Sequence, residues 1–271
     1  MASQEEKAAR FRSLHVGPGV FVIPNPWDAG SARVLGSLGF QALATSSSAS
    51  ASVCGRRDGE LARSETLACI RAIVAATDLP VSGDLGDHFC GDLSGVAETI
   101  QLAAEAGLVG CSIEDSKTGS QQSVFELGLA TERVAVAVEV ARSLPFPFTL
   151  TARAENFIRP NPSLDDTIKR LVAYEKAGAD VLFAPGLPSL DAVREVCAAV
   201  TRPVNFMAGI KGKSFTLAEL AAAGVKRISL GSSLFRAAMT SMVDAAREIR
   251  DHGTFDYTDR CLSAPDWYAL L

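Results

Sequence analysis

The chain has 271 residues, 48% of them hydrophobic, and a formal net charge of −5. That length suits one large α/β domain with a complete core. The acidic balance argues against nonspecific nucleic-acid binding, and no apolar run of about 20 residues exists to span a membrane. In chain order, a strand over 20–23 leads to a helix near 29–38, and a strand over 42–45 to a helix near 64–76. A strand over 81–84 leads to a helix near 96–104. Strands over 107–114, 148–153 and 181–184 follow, each with its helix, near 131–143, 164–177 and 190–199. Strands over 204–207 and 227–230 complete the series, with helices near 217–223 and 234–249. The strands are short β-branched runs, and the helices repeat apolar residues every three or four positions.

Eight strands alternating with eight helices require crossover connections and a parallel sheet. Eight such units close into a (β/α)8 barrel of the TIM type, for which this length is usual. Gly107, Gly178 and Gly224 fall between a helix and the next strand, where a left-handed C-cap is expected. No GxGxxG follows the first strand, which argues against an open doubly wound sheet. Residues 1–271 therefore read as one barrel domain with a C-terminal helical tail. The tail from about 251 carries Phe255, Tyr257, Trp267 and Tyr268, so it is expected to dock on this chain or on a neighbouring subunit.

Cys54, Cys69, Cys90, Cys111, Cys197 and Cys261 form no CxxC pair and are expected as reduced core residues. With the polar start Met1-Ala2-Ser3-Gln4-Glu5-Glu6-Lys7, unlike a signal peptide, they point to a cytoplasmic protein.

In a (β/α)8 barrel the active site lies at the C-terminal ends of the strands. Three acids fall there: Asp58 beyond the second strand, Asp84 at the end of the third and Glu114 at the end of the fourth. Gathered acids without an equal number of bases suit a hard divalent cation, Mg2+ or Mn2+, held by oxygen ligands. The bland alternative is that each acid caps a helix or solvates a loop. Arg153, with Glu155 two residues on, ends the fifth strand and offers a planar fork for a carboxylate or phosphonate. Ser46, Ser47 and Ser48 can add hydroxyl and N–H donors, and Asn205 lies on the seventh strand. A cation beside an anion clamp suits a small 2-oxo acid reacting through an enolate.

The runs Asn25-Pro26-Trp27-Asp28-Ala29-Gly30-Ser31-Ala32, Pro80-Val81-Ser82-Gly83-Asp84, Ser112-Ile113-Glu114-Asp115 and Thr151-Ala152-Arg153 resemble the isocitrate lyase/phosphoenolpyruvate mutase superfamily. The similarity runs from about residue 21 to 238 and is greatest to the short bacterial phosphoenolpyruvate mutase-like (carboxyphosphonoenolpyruvate mutase-like) branch. It implies a barrel whose last helix is often exchanged between subunits of a homodimer or homotetramer. It also implies Mg2+ near Asp84, with Asp58 and Glu114 contributing directly or through water. Arg153 and the Ser46–Ser48 run would be substrate contacts. The implied chemistry is cleavage or formation of a C–C or C–P bond beside a carboxylate.

The chain departs from the family pattern in two loops. After Asp84, Gly86 stands where a second acid is usual, and Cys90 interrupts a glycine-rich turn. Asp87 is a candidate replacement for that metal ligand, and His88 an acid/base candidate. In the loop after the fourth strand, the Lys-Lys-Cys-Gly-His run of the lyases is absent. Lys117 and Gln121 are loose counterparts of the mutases' lysine and asparagine, which makes Lys117 a catalytic candidate.

The expected activity is a Mg2+-dependent lyase or decarboxylase acting on a small 2-oxo (di)carboxylate. The alternatives are C–P bond chemistry on a phosphonopyruvate-like substrate, or a barrel kept only for binding. A phosphorylated substrate, held by the glycine-rich segments 209–213 and 231–233, is a further alternative.

Overall fold

The structure is a computed structural model describing residues 2–87, 89, 92–116, 124–160, 162–213 and 215–271. His88, Cys90, Lys117 and Gln121 lie outside the described residues.

The strands are β1 (Phe21–Ile23), β2 (Leu43–Ala44), β3 (Val81–Asp84), β4 (Gly110–Glu114), β5 (Thr149–Arg153), β6 (Val181–Phe183), β7 (Val204–Met207) and β8 (Arg227–Ser229). They pair in the order β1-β8-β7-β6-β5-β4-β3-β2, every pair parallel. The barrel is nearly closed. At the remaining seam the Ala44 N–H donates to the Pro24 carbonyl at 3.0 Å. Above it Asn25 bridges three strand ends, its amide donating to the Thr45 carbonyl at 2.9 Å and accepting from the Leu230 N–H at 2.8 Å.

The crossover helices are α2 (Ala29–Ser37), α4 (Arg63–Ala75), α5 (Leu93–Glu105), α6 (Leu127–Ser143), α7 (Leu164–Lys176), α8 (Leu190–Ala199), α9 (Leu217–Ala222) and α10 (Ser233–His252). Their apolar faces join the outward-facing strand residues in one continuous core that includes Ile100, Phe148, Leu171 and Val193. Burying such a side chain contributes about 1.5–3 kcal/mol. Gly107 and Gly224 adopt φ of 92° and 94° after α5 and α9, as C-cap glycines should. At Gly107 a Cβ would also come within 2.7 Å of Val74, so the position requires glycine twice over.

Two helices were not legible as elements. Helix α1 (Gln4–Val16) opens on the capping box of Ser3 and Glu6 and lies against the lower end of the barrel. Its Phe11 joins Phe21, Ile23, Ala42 and Val109 in a separate apolar cluster. Helix α3 (Ser47–Val53) follows β2 directly, with Ser46 as its N-cap. Strand β4 starts at Gly110 rather than at 107, because Gly107 is spent on the C-cap.

The cysteine expectation needs correcting. Cys111 is buried, but Cys69 and Cys197 are only half-buried and Cys54 and Cys261 are exposed. All five are free thiols, and the sixth, Cys90, lies outside the described residues. The exposed pair sits at the end of α3 and in the tail, places that need no apolar side chain.

After α10 come a 3-10 turn (Asp256–Arg260) and α11 (Ala264–Tyr268). The chain end returns to its own barrel: Arg33 on α2 donates to the Leu271 carbonyl at 3.0 Å. Phe255 and Tyr268 stay exposed, and α10 buries none of its 20 residues. Among the described residues no helix is long and apolar enough to cross a membrane.

Candidate active site

Inward-facing residues of a parallel barrel alternate along each strand, and the last inward residue of a strand stands at the mouth. The register Asp84–Ser112 and Glu114–Arg153 brings β3, β4 and β5 to one level there. A cavity of about 340 Å³ opens at this end, and Asp58, Asp84, Glu114, Arg153 and Glu155 all line it. A second space of about 380 Å³ continues outward past Asp58 and Glu114 towards Leu85 and Phe89.

Arg153 stands at the centre. Its Nη1 lies 3.0 Å from Asp84 Oδ1 and 2.8 Å from Glu114 Oε1, and its Nε donates to Glu155 Oε1 at 2.9 Å. The guanidinium also stacks over the Phe183 ring, 5.0 Å from its centroid. Burial works against the charge, but Glu114, Glu155 and Asp84 outweigh it and hold its pKa above the usual value. Arg153 is therefore a cation among anions, with its Nη2 edge left for a ligand. That is more constrained than the free anion clamp expected from sequence.

Glu155 is fully buried, and its backbone N–H donates to Asp115 Oδ1 at 2.9 Å. Asp115 in turn accepts from the Tyr174 hydroxyl at 2.7 Å and Arg170 Nη1 at 3.2 Å. This Asp115 group, which the sequence does not single out, fixes where β5 ends. Glu155 Oε2 is buried with no hydrogen bond. Arg159 Nη2 lies 3.9 Å from it and 4.0 Å from Glu114.

Asp84 accepts from the Ser47 N–H at 3.0 Å and the Ser112 hydroxyl at 3.3 Å. Its own N–H donates to Thr45 Oγ1 at 2.9 Å. The serine run thus serves the acids first. Ser46 caps α3 through the Ala49 N–H, Ser47 gives its N–H to Asp84, and the Ser47 side chain works to lower the Asp58 pKa. Ser48 lines the cavity, and its carbonyl accepts from Ser52. Asn205 also lines the cavity, but it is 1% exposed and its amide is taken up by neighbours on β8.

Asp87 is placed differently. Its Oδ1 accepts from the Phe89 N–H at 3.1 Å in a turn where Phe89 has a φ of 56°. Neither cavity has Asp87 in its wall. After β7, Lys213 Nζ donates to the Gly186 carbonyl and the Gly209 carbonyl accepts from Arg236, while Gly231 and Ser232 after β8 line the cavity.

Charge is the chemical content of the site. At the mouth Asp58, Asp84, Glu114 and Glu155 face Arg153 and Arg159, a surplus of two negative charges when all four acids are ionised, and Arg227 at the cavity floor brings the surplus over the whole lining to one. Burial raises the Asp58 carboxyl, and the Asp84 charge adds to it. Burial pushes Glu114 well up against the pull of Arg153, and raises Glu155 in the same way. Such a surplus is relieved by protons or by a divalent cation.

Among the described residues no three acids, imidazoles or thiols converge as a finished metal cage. Arg153 stands between Asp84, Glu114 and Glu155 and keeps them apart. The all-oxygen donor set still fits Mg2+, which is commonly held by one or two carboxylates and keeps several of its waters. Asp84 and Asp58 are the pair whose charges meet in the cavity, with Glu114 behind them.

An eight-stranded parallel barrel with a carboxylate–arginine cluster at its mouth defines a class of small-molecule enzymes. Within it, the phosphoenolpyruvate phosphomutase family pattern matches residues 11–250, and the chain belongs to that family, within the phosphoenolpyruvate mutase/isocitrate lyase superfamily. A crystal structure from Burkholderia cenocepacia J2315, described only as a candidate lyase/mutase, superposes with a TM-score of 0.95. It is 50% identical, with 98% of this chain and 95% of that chain covered. The 2-methylisocitrate lyase of Halalkalibacterium halodurans is 30% identical over 93% of this chain and 85% of its own length. The oxaloacetate decarboxylase of Bradyrhizobium diazoefficiens is 33% identical over 72% of this chain and 68% of its own.

Proposed function

We propose that the protein is a Mg2+-dependent lyase or decarboxylase acting on a small 2-oxo (di)carboxylate through an enolate. The observation that carries this reading is the surplus of carboxylate over arginine at the barrel mouth. The relatives named for methylisocitrate cleavage and oxaloacetate decarboxylation support the reaction class.

Asp84 and Asp58, with Glu114, would hold the cation. Bound there, Mg2+ would lower the energy of negative charge developing on the substrate's C2 oxygen. The chain's own residues do the rest. Arg153, fixed on three sides by carboxylates, offers its Nη2 edge to a substrate carboxylate. Its orientation is set in advance, so little is lost in ordering it when substrate binds. Loss of carbon dioxide or of an aldehyde or ketone fragment leaves an electron pair at C3, which a proton donor must quench. Lys117 is the proposed donor, and His88 is the alternative.

The test is turnover of oxaloacetate with added Mg2+. Wild type should act, and Asp84→Ala should abolish metal-dependent turnover. Undiminished activity in that variant contradicts the assignment. The family description favours one second reading, C–P bond chemistry on a phosphonopyruvate-like substrate. Phosphorus NMR of the products separates the two.

The same reading extends to assembly. A 20-residue helix with no fully buried residue, and with Met242 and Val243 exposed, fits a homodimer or homotetramer in which α10 packs on a neighbouring barrel.

A further inference from the structure

The floor of the cavity contains a second guanidinium with a different environment. Arg227, the first residue of β8, is 5% exposed, and its side chain reaches the cavity floor. Its Nε donates to Asn205 Oδ1 at 2.8 Å and its Nη2 to Thr151 Oγ1 at 3.1 Å. Its Nη1 lies 3.3 Å from His15 Nε2. The His15 Nδ1 faces the Phe11 carbonyl at 2.8 Å and must carry the proton, so Nε2 is an acceptor. Burial holds His15 neutral, lowering its pKa to about 3. Every partner of Arg227 is therefore uncharged, and among the described residues no carboxylate pairs with it.

A guanidinium can only donate. Asn205 must therefore present its oxygen to Arg227, and no flip of the amide is compatible with that contact. Its Nδ2 then faces β8 and donates to Ser229 Oγ at 3.0 Å. With that lone pair occupied, the Ser229 hydroxyl turns its own proton elsewhere. No described residue accepts it, and Ser229 lines the cavity. The chain runs one way: Arg227 to Asn205 to Ser229 to the cavity.

We propose that Ser229 is a specificity-determining contact, an obligate donor that receives an anionic oxygen of the substrate at the β8 side of the cavity floor. Arg227 and Asn205 are positioning residues that set its direction. This rests on the 2-oxo acid reading and deepens it: the pocket selects dicarboxylates over acids with an apolar arm. Arg153 cannot supply this selection alone, because three carboxylates already surround it. The uncompensated charge of Arg227 favours a second carboxylate where Arg153 does not reach.

The test is calorimetric binding of two probes in excess Mg2+: oxalate, which needs only the metal end, and malate, which carries a carboxylate further out. Wild type should bind both. Ser229→Ala should weaken malate about tenfold, the loss of one hydrogen bond to a charged group, and leave oxalate within about twofold. Ser229→Thr keeps the hydroxyl and should restore malate. Asn205→Asp is the sharper variant. The new carboxylate accepts from Arg227 and also from Ser229, so the hydroxyl turns inward and malate affinity falls at least as far. That variant gives Arg227 a counter-charge, so thermal unfolding should not drop. Unchanged malate affinity in both Ser229→Ala and Asn205→Asp overturns the proposal, as do equal losses for both probes. Wild type that binds oxalate but not malate also overturns it, and leaves the metal reading standing. Wild type that binds no oxalate with Mg2+ overturns the metal reading itself.

Discussion

Arg153→Met removes the cation that, among the described residues, alone touches Asp84, Glu114 and Glu155 together. Methionine fills much of the volume and keeps contact with Phe183, so the change is chiefly electrostatic. Three carboxylates then face one another, two of them almost fully buried, with only Arg159 near, about 4 Å away. Removing one partner from a buried ion pair costs about 3–5 kcal/mol, because the other partner is left uncompensated. For a chain of this size that is a fall in Tm of about 6–20 °C, at about 2–4 °C per kcal/mol. The deficit should shrink at low pH. Glu114 and Glu155 already have raised folded-state pKa values, and loss of Arg153 removes the main influence that lowers them. Their protonation then restores neutrality. Thermal unfolding of wild type and variant at about pH 8 and about pH 5.5 reads the effect. A fall of under about 2 °C at pH 8, or a fall equal at both pH values, refutes the picture of Arg153 as a buried counter-ion.

Burial raises the folded-state pKa of Asp58, Glu114 and Glu155, so the folded protein holds those protons more tightly than the unfolded chain. Their contribution to stability is therefore full at low pH and is lost as pH rises through the folded pKa values. Unfolding without divalent cation should occur at lower temperature at about pH 8 than at about pH 5.5, and Mg2+ should close the gap; calorimetry should also show proton release on Mg2+ binding. Tyr174→Phe deletes the 2.7 Å bond to buried Asp115 and should cost about 1–3 kcal/mol in urea unfolding, with Mg2+ affinity unchanged. Lys117→Met should lose turnover while keeping calorimetric oxalate binding in Mg2+; retained turnover removes Lys117 as proton donor. Light scattering should give a dimer or tetramer, and Met242→Glu with Val243→Glu on exposed α10 should shift it towards smaller species.

The barrel was legible because its signals are local. Val81–Asp84 and Val204–Met207 each open with a valine directly after a proline, Pro80 and Pro203, and form strands over the residues the sequence predicts. Helix α3 was not, because Ser47-Ser48-Ala49-Ser50 reads as a turn until Ser46 caps it and Asp84 takes the Ser47 N–H. Helix α1 is not legible because its charged residues hide the apolar pair Ala8 and Phe11, whose partners include Ala42 and Val109, far along the chain. The site divides in the same way. Asp58, Asp84, Glu114 and Arg153 follow from the rule that strand ends converge. The surrounding of Arg153 by three acids, and the lack of any acid beside Arg227 among the described residues, are facts of register between strands. Nothing in the order of residues marks one arginine as matched and the other as uncompensated. Asp87, a ligand candidate by spacing, has its Oδ1 bonded to the Phe89 N–H, a turn contact that the order of residues does not mark.

The central claim is a divalent cation at the Asp84–Asp58 edge of the cavity. Titration with Mn2+, followed by its electron paramagnetic resonance signal with oxalate present, tests it most directly. Wild type should show one tight Mn2+ site per chain, displaced by Mg2+ and lost in Asp84→Ala. Equal Mn2+ binding by wild type and Asp84→Ala, or none by wild type, would contradict it.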